Sequence, residues 1–329
     1  MRLSQWGELA LLEELKRRFP AGRDVPIGIG DDTAVLNLTE NTLITTDTFT
    51  ENIHFIRSLF TPFQIGYRLV ASSVSDIYAM GGRAGFMLLN MSMPSDTEKA
   101  FVDGFLDGLE TAINEHGLCL VGGDVTASEA LMTFTATVLG VCTERVITRS
   151  GATPGDFIYL SAPTGEAMAG LELLKRIGFP LEVEKNSLPD IGLERDHALR
   201  VLKRLLLPEV HPLKDCSALT AMIDVSDGLF IDLKRLCDAS GVGARIYEES
   251  LPLTDALREV TSYLGIEPYR LITSGGEDYV LLFTSSSELK GYYRIGEIVK
   301  EAEGVSVVRR DGSLENIGYR GYEHFVHKG

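Results

Sequence analysis

Apolar positions along this chain keep two rhythms, one of three to four residues and one of two, and their alternation sets out the elements. Leu9, Leu12, Leu15 and Phe19 recur at helical steps and predict a helix over residues 3–19, ended by Pro20. Ala34-Val35-Leu36 starts a strand, and residues 41–47 predict a second that finishes on Thr45, Thr46 and Asp47. Pro62 opens a long helix to about Met80, with Gly81-Gly82 as its stop. Residues 85–93 read as an apolar strand. Ser95-Asp96-Thr97-Glu98 has capping-box spacing, and the helix expected from it carries Phe101, Phe105, Leu109 and Ile113 on one face until Gly117. Residues 118–121 predict a buried strand that runs into Gly122-Gly123-Asp124, and residues 132–141 alternate as a strand does.

A basic, turn-rich junction over residues 143–156, with Arg145, Arg149 and Pro154-Gly155-Asp156, then breaks the pattern. It divides the chain into expected domains at 1–148 and 149–329. The second half predicts strands at 157–161, 280–284, 293–299 and 305–309. Its helices fall at 166–177, 196–206, 229–239 and 254–264, the last capped by Thr254. Residues 180–195 show no period and read as a loop. Each half alternates strands and helices, so the expected fold class is α/β, with two α/β layer domains.

Charge narrows the function. The chain has 329 residues, 47 acidic against 31 basic, for a formal net charge of −16. Such a surface repels nucleic acid and anionic membrane, so neither is expected as a partner. It would also repel phosphate substrates unless metal ions intervene. Cys119, Cys142, Cys216 and Cys237 form no C-x-x-C pair and read as free thiols in a reducing compartment. The first residues lack the apolar core of a signal peptide, and no apolar run reaches membrane-spanning length, so a soluble, cytoplasmic protein is expected.

Carboxylates recur beside glycine, serine or threonine at the turns. Gly28-Ile29-Gly30-Asp31-Asp32 is the first, and a solvated turn is its bland alternative. Thr45, Thr46 and Asp47 are hard oxygen donors of the kind magnesium prefers, or else a plain strand edge. Asp76 follows a run of small residues, 71–75, and does nothing for its helix dipole, so it reads as a carboxylate in want of a cation. Asp124 follows two glycines. Asp224 and Asp227 are three apart, so both can face one ion, whether on a helix face or in a turn entering a helix. Arg149 is a candidate phosphate contact or a surface arginine; His54, beside apolar residues, reads alone as structural. Together these turns describe one nest of acids holding magnesium against the phosphates of ATP.

The chain has no G-x-x-x-x-G-K-[ST] loop, no third glycine after Gly30 for a dinucleotide fingerprint, no H-E-x-x-H, no G-x-S-x-G and no EF-hand loop. The set that remains adds Ser75-Asp76, Thr148-Arg149-Ser150-Gly151, Ile223-Asp224-Val225-Ser226-Asp227-Gly228 and Ser274-Gly275-Gly276-Glu277-Asp278-Tyr279 to the turns above. In order and spacing, over nearly the whole chain, it resembles the thiamine-monophosphate kinase family, within the group that has the aminoimidazole-ribonucleotide-synthetase fold.

That resemblance implies an N-terminal domain whose sheet pairs with a second subunit's to form a barrel, hence a homodimer, and a C-terminal α/β domain beside it. It implies ATP-dependent phosphorylation of thiamine monophosphate to thiamine diphosphate, with several magnesium ions and ATP as co-substrate. By likeness, Asp32, Thr45, Thr46, Asp47, Asp76, Asp124, Asp224 and Asp227 bind magnesium. Gly123, Asp124, Arg149 and Ser226 contact ATP, and His54, Glu277 and Tyr319 contact thiamine monophosphate. No general base is expected, because a phosphate monoester is already nucleophilic at neutral pH. Tyr319 departs from the family's frequent tryptophan, and Leu206-Leu207-Pro208 from its basic segment. The rival readings are another ATP-using enzyme of this fold and a non-catalytic divalent-cation-binding protein.

Overall fold

The structure, a computed structural model, describes residues 14–20, 22, 25, 42–142 and 145–317. The Asp31-Asp32 turn, the strand expected from Ala34 and the tail with Tyr319 lie outside the described residues, and of the helix expected over 3–19 the described part is 14–18. The chain divides into two compact units. The first comprises Met1–Ile77, Gly82–Glu144 and Gly178–Glu182; the second comprises Tyr78–Gly81, Arg145–Ile177 and Val183–Gly329.

Among the described residues, the first unit has a four-stranded sheet with the two long helices on one face. β1 (Thr42–Thr50), α1 (Pro62–Ala79), β2 (Arg83–Pro94), α2 (Lys99–His116), β3 (Cys119–Ser128) and β4 (Thr133–Val141) follow in order. The strands lie β1-β4-β2-β3, with β2 and β3 parallel and the other pairs antiparallel. A parallel pair needs a crossover, and α2 supplies it. One face presents Phe49, Phe134, Val138, Met87, Leu89 and Met91, all buried. Phe105 of α2 stacks on Phe134, ring centroids 4.2 Å apart. The helices approach closely: a Cβ on Gly108 would stand 1.8 Å from the Phe63 carbonyl oxygen, and one on Gly66 2.1 Å from that of Phe105. The other face carries rows that cross the sheet, among them Ile44, Leu139 and Phe86; Thr46, Thr137 and Leu88; and Thr48, Thr135, Asn90 and Asp124. It stays half-exposed, and Ile44 is 69% exposed.

Two expectations change here. Glu98 caps α2 without a side-chain hydrogen bond, and the helix starts at Lys99, so Ser95-Asp96-Thr97 is a turn before the helix and no capping box forms. Gly122-Gly123-Asp124 is no turn but the middle of β3, where the pairing with β2 slips by one residue. Gly123 is required there: its φ is +148° and a Cβ would meet the Leu89 carbonyl oxygen at 1.8 Å.

The second unit is a seven-stranded mixed sheet with helices. Its elements are β5 (Phe157–Leu160), α3 (Glu166–Ile177), α4 (Arg195–Leu206), β6 (Leu219–Val225), α5 (Leu229–Ser240), β7 (Val242–Tyr247), α6 (Asp255–Leu264), α7 (Pro268–Ser274), β8 (Val280–Ser285), β9 (Tyr293–Lys300), β10 (Val305–Val308) and β11 (Leu314–Asn316). The order is β11-β10-β7-β9-β5-β8-β6, with only β7 and β10 parallel among neighbours. Thr254 caps α6 by accepting from Leu257 N, as its position suggests. Gly117, Gly241 and Gly265 close their helices in the left-handed conformation. β8 is buried at every position and β6 at every position but Thr220, although β6 is the outermost strand on its side of the sheet among the described residues. The chain leaves β6 at the densest acidic turn of this half.

Candidate functional site

Among the described residues β1 is the outermost strand of its sheet, and its side chains alternate. Thr45, Asp47 and Phe49 turn towards α1; Ile44, Thr46 and Thr48 turn away. On the α1 side two acids meet. Thr45 Oγ1 donates to Asp76 Oδ2 at 2.5 Å. Burial first, and the neighbouring Asp76 charge second, push the Asp47 carboxyl up to about 6, with hydrogen bonding to Ser73 pulling the other way. Two carboxylates held together under hydroxyls form a hard-oxygen donor set. The small residues of α1 explain the closeness: Ser72, Ser73 and Ser75 are buried, so backbone and strand approach without bulk between them. Thr46 lies on the opposite face, its hydroxyl bound to the Ala136 carbonyl at 3.1 Å and 3.1 Å from Thr137 Oγ1. Any metal contact from Thr46 is therefore left to its main chain.

His54 sits in the turn after β1. Its ring stacks on Phe49 with centroids 5.4 Å apart, and its Nδ1 accepts from Thr50 N at 3.0 Å. Nε2 is then the proton-bearing nitrogen of the neutral ring. Beneath it lies Arg68, 1% exposed, whose guanidinium is 5.4 Å from the Phe49 ring, 4.8 Å from the Phe60 ring, and donates to the His54 carbonyl at 3.0 Å. Glu51 pins the same turn, accepting from Met132 N at 3.0 Å and from Arg57 Nε at 2.5 Å. Neither Arg68 nor Glu51 stood out in the sequence, because a buried charge in an apolar helix or a strand end carries no local mark.

Asp124 is exposed on β3. Its register row, Thr48-Thr135-Asn90-Asp124, belongs to the half-exposed face, whereas Asp47 shares a row with Ala136, Leu89 and Gly123 on the helix-covered face. Within one chain, Asp47 and Asp124 thus stand on opposite faces, at opposite edges of the sheet.

In the second unit Asp224, 4% exposed, is the last residue but one of β6, and Ser226 and Asp227 form the turn into α5. Of the two geometries open to the Asp224/Asp227 pair, this is the turn entering a helix. Gly228 makes that turn with φ +134°. Asp232 caps it, its Oδ2 accepting from Asp227 N and Gly228 N at 3.1 Å each. Arg235 spans both acids, 2.6 Å from Asp227 Oδ2 and 2.7 Å from Asp232 Oδ1. Burial pushes Asp232 up to about 6 while Arg235 pulls it down. Glu277 is half-buried, and its N donates to the Ser226 carbonyl at 2.7 Å. Arg149 is exposed beside β6, where Met222 N donates to the Thr148 carbonyl at 3.0 Å. The i, i+3 spacing of Asp232 and Arg235 is the one sequence signal that could have announced a cation already paired with this turn.

The structure thus brings Thr45, Asp47 and Asp76 together in the first unit, and Asp224, Ser226, Asp227 and Glu277 along one turn in the second. Asp32 and Tyr319 lie outside the described residues. Among the described residues one trio of ligand atoms lies within reach of a single ion, and it contains none of the expected ligands: Glu194, His197 and Glu259, where His197 Nδ1 is 2.5 Å from Glu259 Oε2.

Family models of the AIR synthase related proteins match both halves, the N-terminal domain at residues 30–142 and the C-terminal domain at 153–309. The thiamine-monophosphate kinase of Escherichia coli (strain K12) is 35% identical over 338 residues, covering 97% of this chain and 98% of its own. That of Aquifex aeolicus (strain VF5) is 32% identical, with 99% of this chain and 100% of its own covered. The crystal structure of thiamine-monophosphate kinase from Stenotrophomonas maltophilia K279a superposes with a TM-score of 0.79 at 29% identity, covering 94% of this chain and 98% of that one. The structure of AaThiL complexed with AMPPCP and TMP superposes with a TM-score of 0.75 at 32% identity, covering 99% of both chains.

Proposed function

Because the chain belongs to the thiamine-monophosphate kinase family, we infer that it transfers the γ-phosphoryl group of ATP to thiamine monophosphate, giving thiamine diphosphate and ADP. The bond between the γ-phosphorus and the β,γ-bridging oxygen breaks, and one forms to an oxygen of the acceptor phosphate. That oxygen carries no proton at neutral pH, so no side chain serves as general base. The work left to the protein is to bring two polyanions into line.

The observation that carries this reading is the paired acids Asp47 and Asp76, with Asp47 raised to about 6 by burial and by its neighbour. Such a pair, ringed by hydroxyls, fits magnesium, which favours oxygen donors. Magnesium ions there would supply the positive charge that an acidic chain lacks. The ligands are Asp32, Asp47, Asp76, Asp124, Asp224 and Asp227, with Thr45 and the main chain of Thr46. Asp227 reaches an ion only by sharing or releasing Arg235. Gly123, Asp124, Arg149 and Ser226 meet ATP. His54 offers its stacked ring and Nε2–H to the acceptor, and Glu277 and Tyr319 complete that contact.

A second copy of the chain covers the half-exposed face of the N-terminal sheet, placing the Asp124 row inside a homodimer. The rows at its centre are threonine and apolar residues with Asn90, and among the described strand residues its charges stand at the margins, Asp124 on β3 and Arg83 at the start of β2, as an interface core requires. The enzyme works in the cytoplasm, where its four free cysteines suit a reducing medium. The deciding experiment is incubation with ATP, magnesium and thiamine monophosphate. Thiamine diphosphate appears in step with ADP; magnesium binding without turnover would make this a cation-binding protein instead.

A further inference from the structure

Asp278 is 0% exposed, yet it lies between two residues held in an unusual backbone state. Glu277 has φ +67° and Tyr279 φ +50°. Side chains rarely adopt that left-handed region, and it persists only where the surroundings over-determine it. Here they do. Asp278 Oδ2 accepts from Gly165 N at 2.5 Å and Oδ1 from Ala167 N at 3.0 Å, satisfying N–H groups at the start of α3. The Asp278 carbonyl accepts from Arg204 Nη2 of α4 at 3.0 Å, and Arg204 Nη1 is anchored on the Glu209 carbonyl at 3.0 Å. On the other side, Glu277 N donates to the Ser226 carbonyl at 2.7 Å and Tyr279 N to the Val225 carbonyl at 2.9 Å. A Cβ on Gly276 would stand 2.7 Å from that same Ser226 oxygen, so the two segments are in direct backbone contact.

We propose that Asp278 is a positioning residue: its buried carboxylate clamps residues 276–279 between α3 and the Val225-Ser226 turn, and so fixes Glu277 against the Asp224–Asp227 turn for recognition of the acceptor. The proposal rests on the reading of Glu277 as an acceptor contact. Asp278 touches neither substrate nor ion. It sets the frame in which the acceptor residue and the metal-side turn keep one spacing. A residue that merely held the fold would affect ATP and acceptor alike; a clamp on Glu277 acts on the acceptor alone.

Steady-state kinetics on Asp278→Asn, Glu277→Gln and the double variant test it. Glu277→Gln raises KM for thiamine monophosphate about tenfold, and Asp278→Asn raises the same KM about fivefold while KM for ATP stays within about twofold. The double variant is no worse than Glu277→Gln alone within about twofold, because the clamp acts only through Glu277. Losses that multiply in the double variant, or equal rises in both KM values, overturn the clamp. A silent Glu277→Gln removes the acceptor reading and the proposal with it; an impaired Glu277→Gln beside a silent Asp278→Asn removes the clamp alone. Should Asp278→Asn fail to fold, Arg204→Met strips the donor from the Asp278 carbonyl, and the same acceptor-only rise of about threefold is expected. Absence of that acceptor-only rise overturns the proposal.

Discussion

Asp47 holds its carboxylate in a place that disfavours charge, next to a second acid and under a covering helix. That tension is what a cation relieves. Asp47→Asn keeps the shape and removes the charge, so turnover falls by about a thousandfold or more while the circular dichroism spectrum stays native. Retained turnover would count against the acid pair as the metal site. Asp278 gives a pH signature of its own. Burial pushes its carboxyl up to about 6, with the Arg204 charge and the Gly165 and Ala167 N–H groups pulling against it. An acid raised in the folded state contributes stability that is complete below its unfolded value near 4 and is lost as pH climbs through 6. The stability difference between wild type and Asp278→Asn therefore narrows by about 1–3 kcal/mol from pH 4 to pH 6 and is flat above 7, as urea midpoints across pH will read.

Among elements, α1 and α2 approach to backbone contact. Gly108→Ala drives a methyl into the Phe63 carbonyl and is expected to lower stability by about 1–3 kcal/mol, seen as a lower urea midpoint with an unchanged slope. Elements of this kind were largely readable in the sequence, since each depends on a local period and a local stop. Pro62 to Gly81, the Thr254 cap and the left-handed Gly117 are examples. What escaped were features that depend on partners far along the chain. Gly122-Gly123 reads as a turn because glycines usually make turns; its reason is a bulge pressed on Leu89, which no local pattern contains. The capping box failed because Glu98 itself became the cap residue. Thr45, Thr46 and Asp47 were legible as donors, but only the register with β4 shows that they divide between two faces. Arg235 on Asp227 and Arg68 under His54 are likewise tertiary facts.

For the whole molecule, the half-exposed sheet face sets the expectation. Ile44→Asp places a charge in the row with Leu139 and Phe86, on the face assigned to a second copy. Light scattering on a sizing column is then expected to show a monomer where wild type runs as a dimer, with activity lost to the same degree if Asp124 works only inside the pair. A wild type that runs as a monomer and turns over would end the dimer reading. Since each copy carries a net charge of −16, the association should tighten with added salt.

The alternation of β1 also constrains how this sequence can change over time. Under the proposed roles, odd positions face the ion and even positions face the second copy, and a ribbon with a period of two offers no slack between those duties. Point replacements at 44, 46 or 48 can retune the assembly without disturbing the chemistry. Inserting or deleting a single residue before Thr45 would swap both duties at once, so length polymorphism should be absent from this strand.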